Sequence, residues 1–434
     1  MNLDALWPLI QFLVPFLFMF GFVVALMLPT MIFMERKVSA YIQDRRGPNR
    51  ANILGIRLFG MIHNVADVIK LLVKEDLEPK AADKTFFRFA PFLVMTIAIM
   101  TMAVIPFGEP IAIWGKALHL QIAPLNAGIL YIFAISSLSV YGIILAGWSS
   151  GNKFSFLGAV RASSQMISYE VALGLSVIGI LIAYGTTDLA EMVRAQGANP
   201  LTWGVVLSPI GFLLFLTAMF AETNRMPFDL PEGESELVAG FHLEYSSFKF
   251  ALFFMSEYVN MVVGAAVIST LFFGGWQVPF LSTAMIKQNS ALIFSGMMIS
   301  GGAVLLLISV SLIDAIRRPF FAWGDRRDHE PKVFLPLTLL GGVGMLWLGL
   351  GVIPGLDIAK YPWFPVVVVL LLQITAFCAK TFFFSFFFIW VRWTLPRFRY
   401  DQVMQLGWKY MLPLGVANIF LTFAFARLWL GWLR

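Results

Sequence analysis

Apolar residues run in blocks of about twenty along the whole 434-residue chain, and polar residues gather in the short segments between them. A helix of that length crosses roughly 30 Å, the thickness of a bilayer's hydrocarbon core. Lipid offers the backbone no hydrogen-bond partner, so each block is read as a helix, which satisfies its own N–H and C=O groups. Ten candidate spans follow, at about 9–33, 87–106, 125–147, 165–184, 204–221, 247–273, 292–313, 333–353, 364–391 and 410–430. The two-residue alternation of an outer-membrane barrel strand is absent. The pattern predicts an all-α polytopic membrane protein, a single integral membrane domain over residues 1–434 with about ten transmembrane helices.

Composition agrees: 59% of residues are apolar and 13% charged, too little polar surface for a soluble chain of this size. Charge then orients the helices. Arg36, Lys37, Arg45, Arg46, Arg50, Arg57, Lys70, Lys74, Lys80 and Lys84 fall in segment 34–86. The alternate connections hold Lys153 and Arg161, then Arg225, then Arg317, Arg318, Arg326, Arg327 and Lys332, and last Arg392, Arg397, Arg399 and Lys409. The intervening ones carry only Lys116, Arg194, Lys287 and Lys360. By the positive-inside rule the basic loops are cytoplasmic and both termini lie outside, as in a multi-pass protein of the cell inner (plasma) membrane. The first block, roughly 6–34, is long and has no basic residue before it, which suits a spanning helix better than a cleaved signal peptide. The net charge of +6 is accounted for by orientation beside anionic lipid, and no nucleic-acid partner is expected.

The single cysteine, Cys378, excludes an internal disulfide and a thiolate-held iron–sulfur or zinc site supplied by this chain alone. His63, His119, His242 and His329 are scattered, with no spaced pair inside a span to hold a haem. No glycine-rich nucleotide fingerprint follows a strand. The expected metal and cofactor set is therefore empty, and any electron carriers belong to other subunits.

Chemistry concentrates in a few polar stretches. Residues 35–50 read E-R-K-V-S-A-Y-I-Q-D-R-R-G-P-N-R, with a turn at Gly47-Pro48-Asn49. Residues 61–76 place Ile62, Val65, Ala66, Ile69, Leu72 and Val73 on one helical face and Asp67, Lys70 and Lys74 on the other. This predicts an amphipathic helix lying at the interface within loop 34–86, and taken alone a simple membrane anchor accounts for it better than a functional role. The loop at 222–246 crowds Glu222, Asp229, Glu232, Glu234, Glu236 and Glu244 together, and Pro227 and Pro231 prevent one continuous helix. Interleaved apolar residues suit a loop packed on protein. Inside the spans stand Glu170 and Glu257, each at an insertion cost of roughly 2.5–3.5 kcal/mol. Such groups persist with a partner, in a wet cavity or protonated. One reading is a polar proton path running from Glu244 towards Glu257 and Glu170; isolated helix-packing carboxyls are the other. Lys380 is either a counter-charge or a snorkelling side chain.

These stretches closely resemble the membrane component that forms the quinone site of respiratory complex I, known in bacterial NADH–quinone oxidoreductase as the H subunit. The matching segments are 35–50, 66–75, G-W-S-S-G-N-K at 147–153, R-A-S-S-Q-M-I-S-Y-E-V-A-L-G at 161–174, 221–261, and 390–402 followed by Gly407-Trp408-Lys409. They cover most of the expected cytoplasmic loops and run in the family's order. The resemblance implies a tunnel for an isoprenoid quinone (ubiquinone or menaquinone) open to the bilayer. It leads towards a soluble quinone-site subunit and the subunit carrying the terminal iron–sulfur cluster, with other membrane-arm subunits alongside. By matching positions, Arg36, Gly47, Pro48, Asp67, Lys70, Arg225, Phe228 and Asp229 correspond to tunnel or chamber residues. Glu170, Glu232, Glu234, Glu236, Glu244 and Glu257 correspond to an acidic path coupling quinone reduction to proton translocation. Activity is expected of the assembled complex and not of the isolated chain.

One departure stands out. The family core has about eight spans, and residues 274–363 are longer than the usual connection. The excess, 292–353, reads as an inserted transmembrane hairpin that restores the same orientation afterwards. Two rival functions remain open at this point. One is the equivalent subunit of a membrane-bound hydrogenase or other donor–quinone oxidoreductase. The other is a stand-alone ion-coupled transporter, although no internal repeat or interrupted span pair favours it.

Overall fold

The computed structural model describes residues 3–113, 115–230, 238–317, 326–352 and 361–433. Glu232, Glu234 and Glu236 lie outside the described residues, as does the centre of the basic connection 314–332. Twelve helices carry the account: α1 Leu6–Ile42, α2 Ile62–Val73, α3 Lys84–Val104, α4 Gly128–Ser149, α5 Lys153–Tyr184, α6 Leu189–Gln196, α7 Pro209–Glu222, α8 Ser247–Phe272, α9 Ser290–Arg317, α10 Glu330–Gly351, α11 Trp363–Thr394 and α12 Tyr400–Trp429. Nine of the described helices are long and apolar enough to cross a bilayer, and α7 is a shorter apolar helix. Together they account for the ten expected spans. The only sheet among the described residues is a hairpin, β1 Ile111–Ile113 with β2 Lys116–Leu118, paired antiparallel.

Three boundaries depart from expectation for physical reasons. The first helix continues through the polar residues Glu35–Lys37 to Ile42, because Glu35 and Lys37 find buried positions. The fourth span begins at Lys153, where the Asn152 side chain accepts the Phe154 N–H and caps the helix. The span expected at 204–221 is broken at Ser208-Pro209 into a four-residue helix and α7, since proline cannot donate to the preceding turn. The extra length lies at helix ends, where a hydropathy window registers only polarity.

Contacts divide the chain into two compact units. The first comprises residues 1–45, 68–280 and 374–434. Its innermost helix is α8: 78% of its most apolar window is buried, against 22–50% for the other long spans of that unit that lie wholly within it, α1, α3, α4, α5 and α12. A core of Phe87, Val94, Ile143, Ala159, Met166, Phe241, Tyr245 and Phe253 joins α3, α4, α5 and α8. The motif G-W-S-S-G-N-K makes this junction compact. A Cβ on Gly147 would meet the Ala159 Cβ at 2.3 Å, and Gly151, at φ +66°, sits with its would-be Cβ 2.7 Å from the Ala81 carbonyl. Only glycine fits either place. A buried network of Ser208, Asn418 and Thr422 hydroxyl and amide groups links the start of α7 to α12.

The second unit comprises residues 46–67 and 281–373. Its helices α9 and α10 pack closely: a Cβ on Gly302 would come within 2.9 Å of the Gly342 carbonyl, and Ser309 donates to Thr338 at 2.8 Å. Only 11% of the most apolar window of either helix is buried, as suits helices facing lipid on most sides.

Candidate functional site

Glu35 is the hub of a buried charged cluster in the first unit. It lies near the end of α1, and three other elements deliver its partners. Arg225, from the turn after α7, donates from Nη1 to both carboxylate oxygens, at 3.1 and 3.3 Å. Arg392, near the end of α11, donates to Oε1 at 2.5 Å, and the Tyr258 hydroxyl on α8 donates to Oε2 at 2.5 Å. Arg225 also stacks on the Tyr258 ring, 4.3 Å from its centroid, and its Nη2 lies 3.9 Å from Glu257 Oε2. With Glu35 7% and Arg225 2% exposed, none of these charges is solvated enough to survive alone. Burial is the largest single influence and works against the Arg225 charge, but Glu35, Tyr258 and Glu257 together outweigh it, so the guanidinium is held protonated more firmly than usual.

The turn that aims Arg225 is itself pinned. Gln165 on α5 donates to the carbonyls of Ala221 and Phe228, at 2.7 and 2.8 Å. Asp229 pairs with Arg397 at 2.6 Å, and the Phe398 N–H donates to the Pro227 carbonyl. The Phe228 ring packs between Tyr169 and Phe398, with centroids 5.5 and 5.4 Å away. Tyr169 in turn donates to the Val403 carbonyl, and Trp408 donates to Ser168. The sequence stretches 161–174, 221–230 and 390–409 are thus one interlocked assembly.

Beneath this cluster lie two enclosed cavities, of about 40 and 20 Å³ counted as room for water centres. Each is large enough for at least one ordered water, and each has a few polar side chains set into largely apolar walls. Glu222, Ser139 and Asn260 border both, and Glu257 borders the smaller. Ser136 is within hydrogen-bond reach of Glu222, and Glu170 is close enough to interact with it electrostatically. Carboxyls from α7 and α8 therefore border a small interior space among apolar helix faces, with the α5 carboxyl of Glu170 near Glu222.

The remaining expected residues fall as follows. Glu244 accepts from Asn152 at 2.6 Å beside the α5 N-terminus and lines neither enclosed cavity. Arg36 is half-buried on α1, and Lys70 is exposed on α2, whose apolar face is left uncovered at Val65, Ile69, Leu72 and Val73. Gly47, Pro48 and Asp67 belong to the second unit; Gly47 takes φ +69°, as the expected turn requires. Lys380 is neither a counter-charge nor snorkelling. Its ammonium donates to the carbonyls of Phe273, Gly275 and Gln277 at 2.7, 2.9 and 2.6 Å, beneath the Trp203 ring, and so closes the C-terminal end of α8. Among the described residues no group of three or more His, Cys, Asp or Glu side chains is placed to hold a metal ion.

Comparison with known proteins decides the family. The profile of the family described as NADH dehydrogenase matches residues 14–423. The chain is 43% identical over 392 residues to NADH-quinone oxidoreductase H subunit 1 of Solibacter usitatus, covering 89% of this chain and 90% of the relative. It is 39% identical over 388 residues to the corresponding H subunit 1 of Cytophaga hutchinsonii, covering 89% of each. NADH-quinone oxidoreductase subunit 8 of Rhodothermus marinus is 40% identical over 393 residues, covering 90% of each. The chain belongs to the NADH dehydrogenase family.

For this NADH dehydrogenase family member, the sequence pattern passes over four residues that the fold makes central: Glu35, Tyr258 and Arg392 in the cluster, and Glu222 between the cavities. Glu35 and Arg392 read as helix-end charges, and Tyr258 as one aromatic among many. A usable signal existed for the first two. An acid and a base on the same side of two apolar helices are cheaper paired than apart, but their separation of 357 positions hides the partner.

Proposed function

We propose that this chain is the membrane subunit of a proton-translocating NADH–quinone oxidoreductase, forming the quinone access tunnel, part of its chamber, and the acidic path that couples quinone reduction to proton movement. It acts as part of an enzyme complex, alongside soluble subunits that carry the electrons to the quinone and further membrane-arm subunits. The basic loops face the cytoplasm and both termini the outside of the cell inner membrane.

The observation that carries this reading is the continuity of charge from the Glu35–Arg225–Arg392 cluster to Glu257, and of a small cavity bordered by both Glu257 and Glu222, with Glu170 near Glu222. Reduction of a quinone adds two electrons and takes up two protons. Negative charge that develops before protonation raises the proton affinity of neighbouring carboxyls and weakens their hold on Arg225. Arg225 touches both Glu35 and Glu257, so a change at one acid reaches the other through a single side chain. Water in these cavities would carry protons between carboxyls too far apart for direct transfer. Arg36, Gly47, Pro48, Asp67, Lys70, Phe228 and Asp229 line the quinone's route, and Glu232, Glu234, Glu236 and Glu244 extend the acidic path.

The test is proton translocation by the assembled complex in sealed vesicles. Glu257→Gln and Glu234→Gln are each expected to lower the number of protons moved per NADH oxidised. Wild-type translocation in both variants would refute the path.

A further inference from the structure

We propose that the α9–α10 hairpin holds the segment bearing the Gly47-Pro48 turn in its working shape, through an ion pair between Arg57 and Glu330. The proposal rests on the quinone-route reading above and gives the extra helices a role, that of bracing one wall of that route.

Three observations converge. First, contacts group residues 46–67 with 281–373, so this polar segment packs with the hairpin in one compact unit. Second, the link is specific. Arg57 Nε donates to Glu330 Oε2 at 2.7 Å, with the side chains only 14% and 8% exposed. Glu330 is the first residue of α10, where a carboxylate is also favoured by the helix N-terminus. A pair so far removed from water gains what an exposed one does not, and loss of one member leaves the other buried without its partner.

Third, the segment cannot hold its shape alone. Leu54, Leu58 and Phe59, three non-glycine residues near Arg57, take left-handed backbone angles, with φ of 54°, 48° and 58°. Side-chain-bearing residues adopt that region only where surrounding contacts over-determine it. Ile53, Leu54 and Phe59 point largely outward, so packing on their side chains does not supply the restraint. The fixings are polar. His63 Nε2 accepts the N–H groups of Arg50 and Ala51, both at 3.1 Å, tying the stretch after Gly47-Pro48 to the start of α2. Asn52 Oδ1 accepts the Gly55 N–H. Arg57–Glu330 is a tie that reaches from this folded segment to the hairpin. Arg57 and Glu330 are positioning residues, acting through the segment between Gly47 and His63.

The experiment uses the assembled complex in native membranes, with Glu330→Gln, Arg57→Glu, and the reversed pair Arg57→Glu with Glu330→Arg. A spin label at Ile53, an exposed side chain of the same segment, reports its mobility. Steady-state kinetics with a short-chain quinone give KM and kcat, and NADH oxidation by a hydrophilic artificial acceptor reports electron input independent of the quinone route. The expected result is a more mobile label and a several-fold rise in quinone KM for each single variant, with artificial-acceptor activity unchanged. The reversed pair should recover most of both effects. A label equally immobile in all variants would overturn the brace and leave the quinone-route reading intact. A mobile label with unchanged KM would overturn the positioning role. Failure of the quinone-route reading itself registers elsewhere, as absence of photolabelling by a quinone analogue in wild-type loops 34–86 and 222–246.

Discussion

Arg225 Nη1 lies 3.1 Å from Glu35 Oε2, across 190 positions of sequence, and the pair is nearly sealed from solvent. Each charge is tolerable there because of the other. Breaking a buried pair by removing one member costs about 3–5 kcal/mol, more than the pair contributes relative to a well-packed apolar substitute. Glu35→Gln is therefore expected to lower the thermal stability of the subunit within the complex, as is Arg225→Gln. The double variant should be less damaged than the sum of the two, and a double-mutant cycle on the unfolding of detergent-solubilised complex measures the coupling. Strictly additive losses would mean that the two side chains do not support each other.

A second ion pair governs the shape of the 225–230 turn. Asp229 bonds Arg397 at 2.6 Å, and the adjacent Phe228 and Phe398 rings are in contact. Arg397→Ala removes the charge partner and loosens the turn that aims Arg225. The expected outcome is a quinone reductase rate lowered several-fold, while NADH oxidation by a hydrophilic acceptor is retained. Equal loss of both activities would point to failed assembly instead.

The pH dependence of one tie follows from its surroundings. Hydrogen bonds from Arg88 and then Lys249 hold the Glu78 carboxyl down at about 2. A group whose folded value is depressed adds stability that is complete above its unfolded value, near 4.5, and fades as pH falls towards the folded one. Glu78→Gln should therefore unfold at a lower temperature than wild type by a constant margin from pH 7 to about 5. The margin should narrow below about 4.5. A margin that widened on acidification would contradict the assignment.

Lys380 offers a test of a different kind. Its three bonds to the carbonyls of Phe273, Gly275 and Gln277 satisfy acceptors at the end of the most buried helix. Lys380→Met leaves those carbonyls without their donor, at a cost of about 1–3 kcal/mol. A lower melting temperature with an unchanged turnover per assembled complex is expected. An unchanged melting temperature would show that the cap is dispensable.

The ten apolar segments, the turn at Gly47 and the intramembrane acids Glu170 and Glu257 were all legible in the chain, because each depends on local composition or periodicity. What was not legible depends on long-range pairing. Glu35 and Arg392 stand where helices meet the polar boundary, and a charge there is unremarkable until its partner is seen. Glu222 reads as one more acid in an acidic loop, yet the end of α7 carries it inward to border both cavities. Lys380 admitted two readings and took neither, because three backbone carbonyls converge at the end of α8, and no sequence pattern announces that. The break at Ser208-Pro209 was written in the proline but outweighed by the apolar run around it.

Passage of a lipid-soluble quinone along the charged cluster, as proposed above, is measured by photo-crosslinking. A photoreactive quinone analogue is added to native membranes containing the whole complex, and the labelled residues of this chain are mapped by mass spectrometry. Labels are expected to be confined to residues 34–86 and 222–246, with labelling suppressed by excess unmodified quinone. Labels confined to α9 and α10, or spread without competition over the lipid-facing helices, would contradict it.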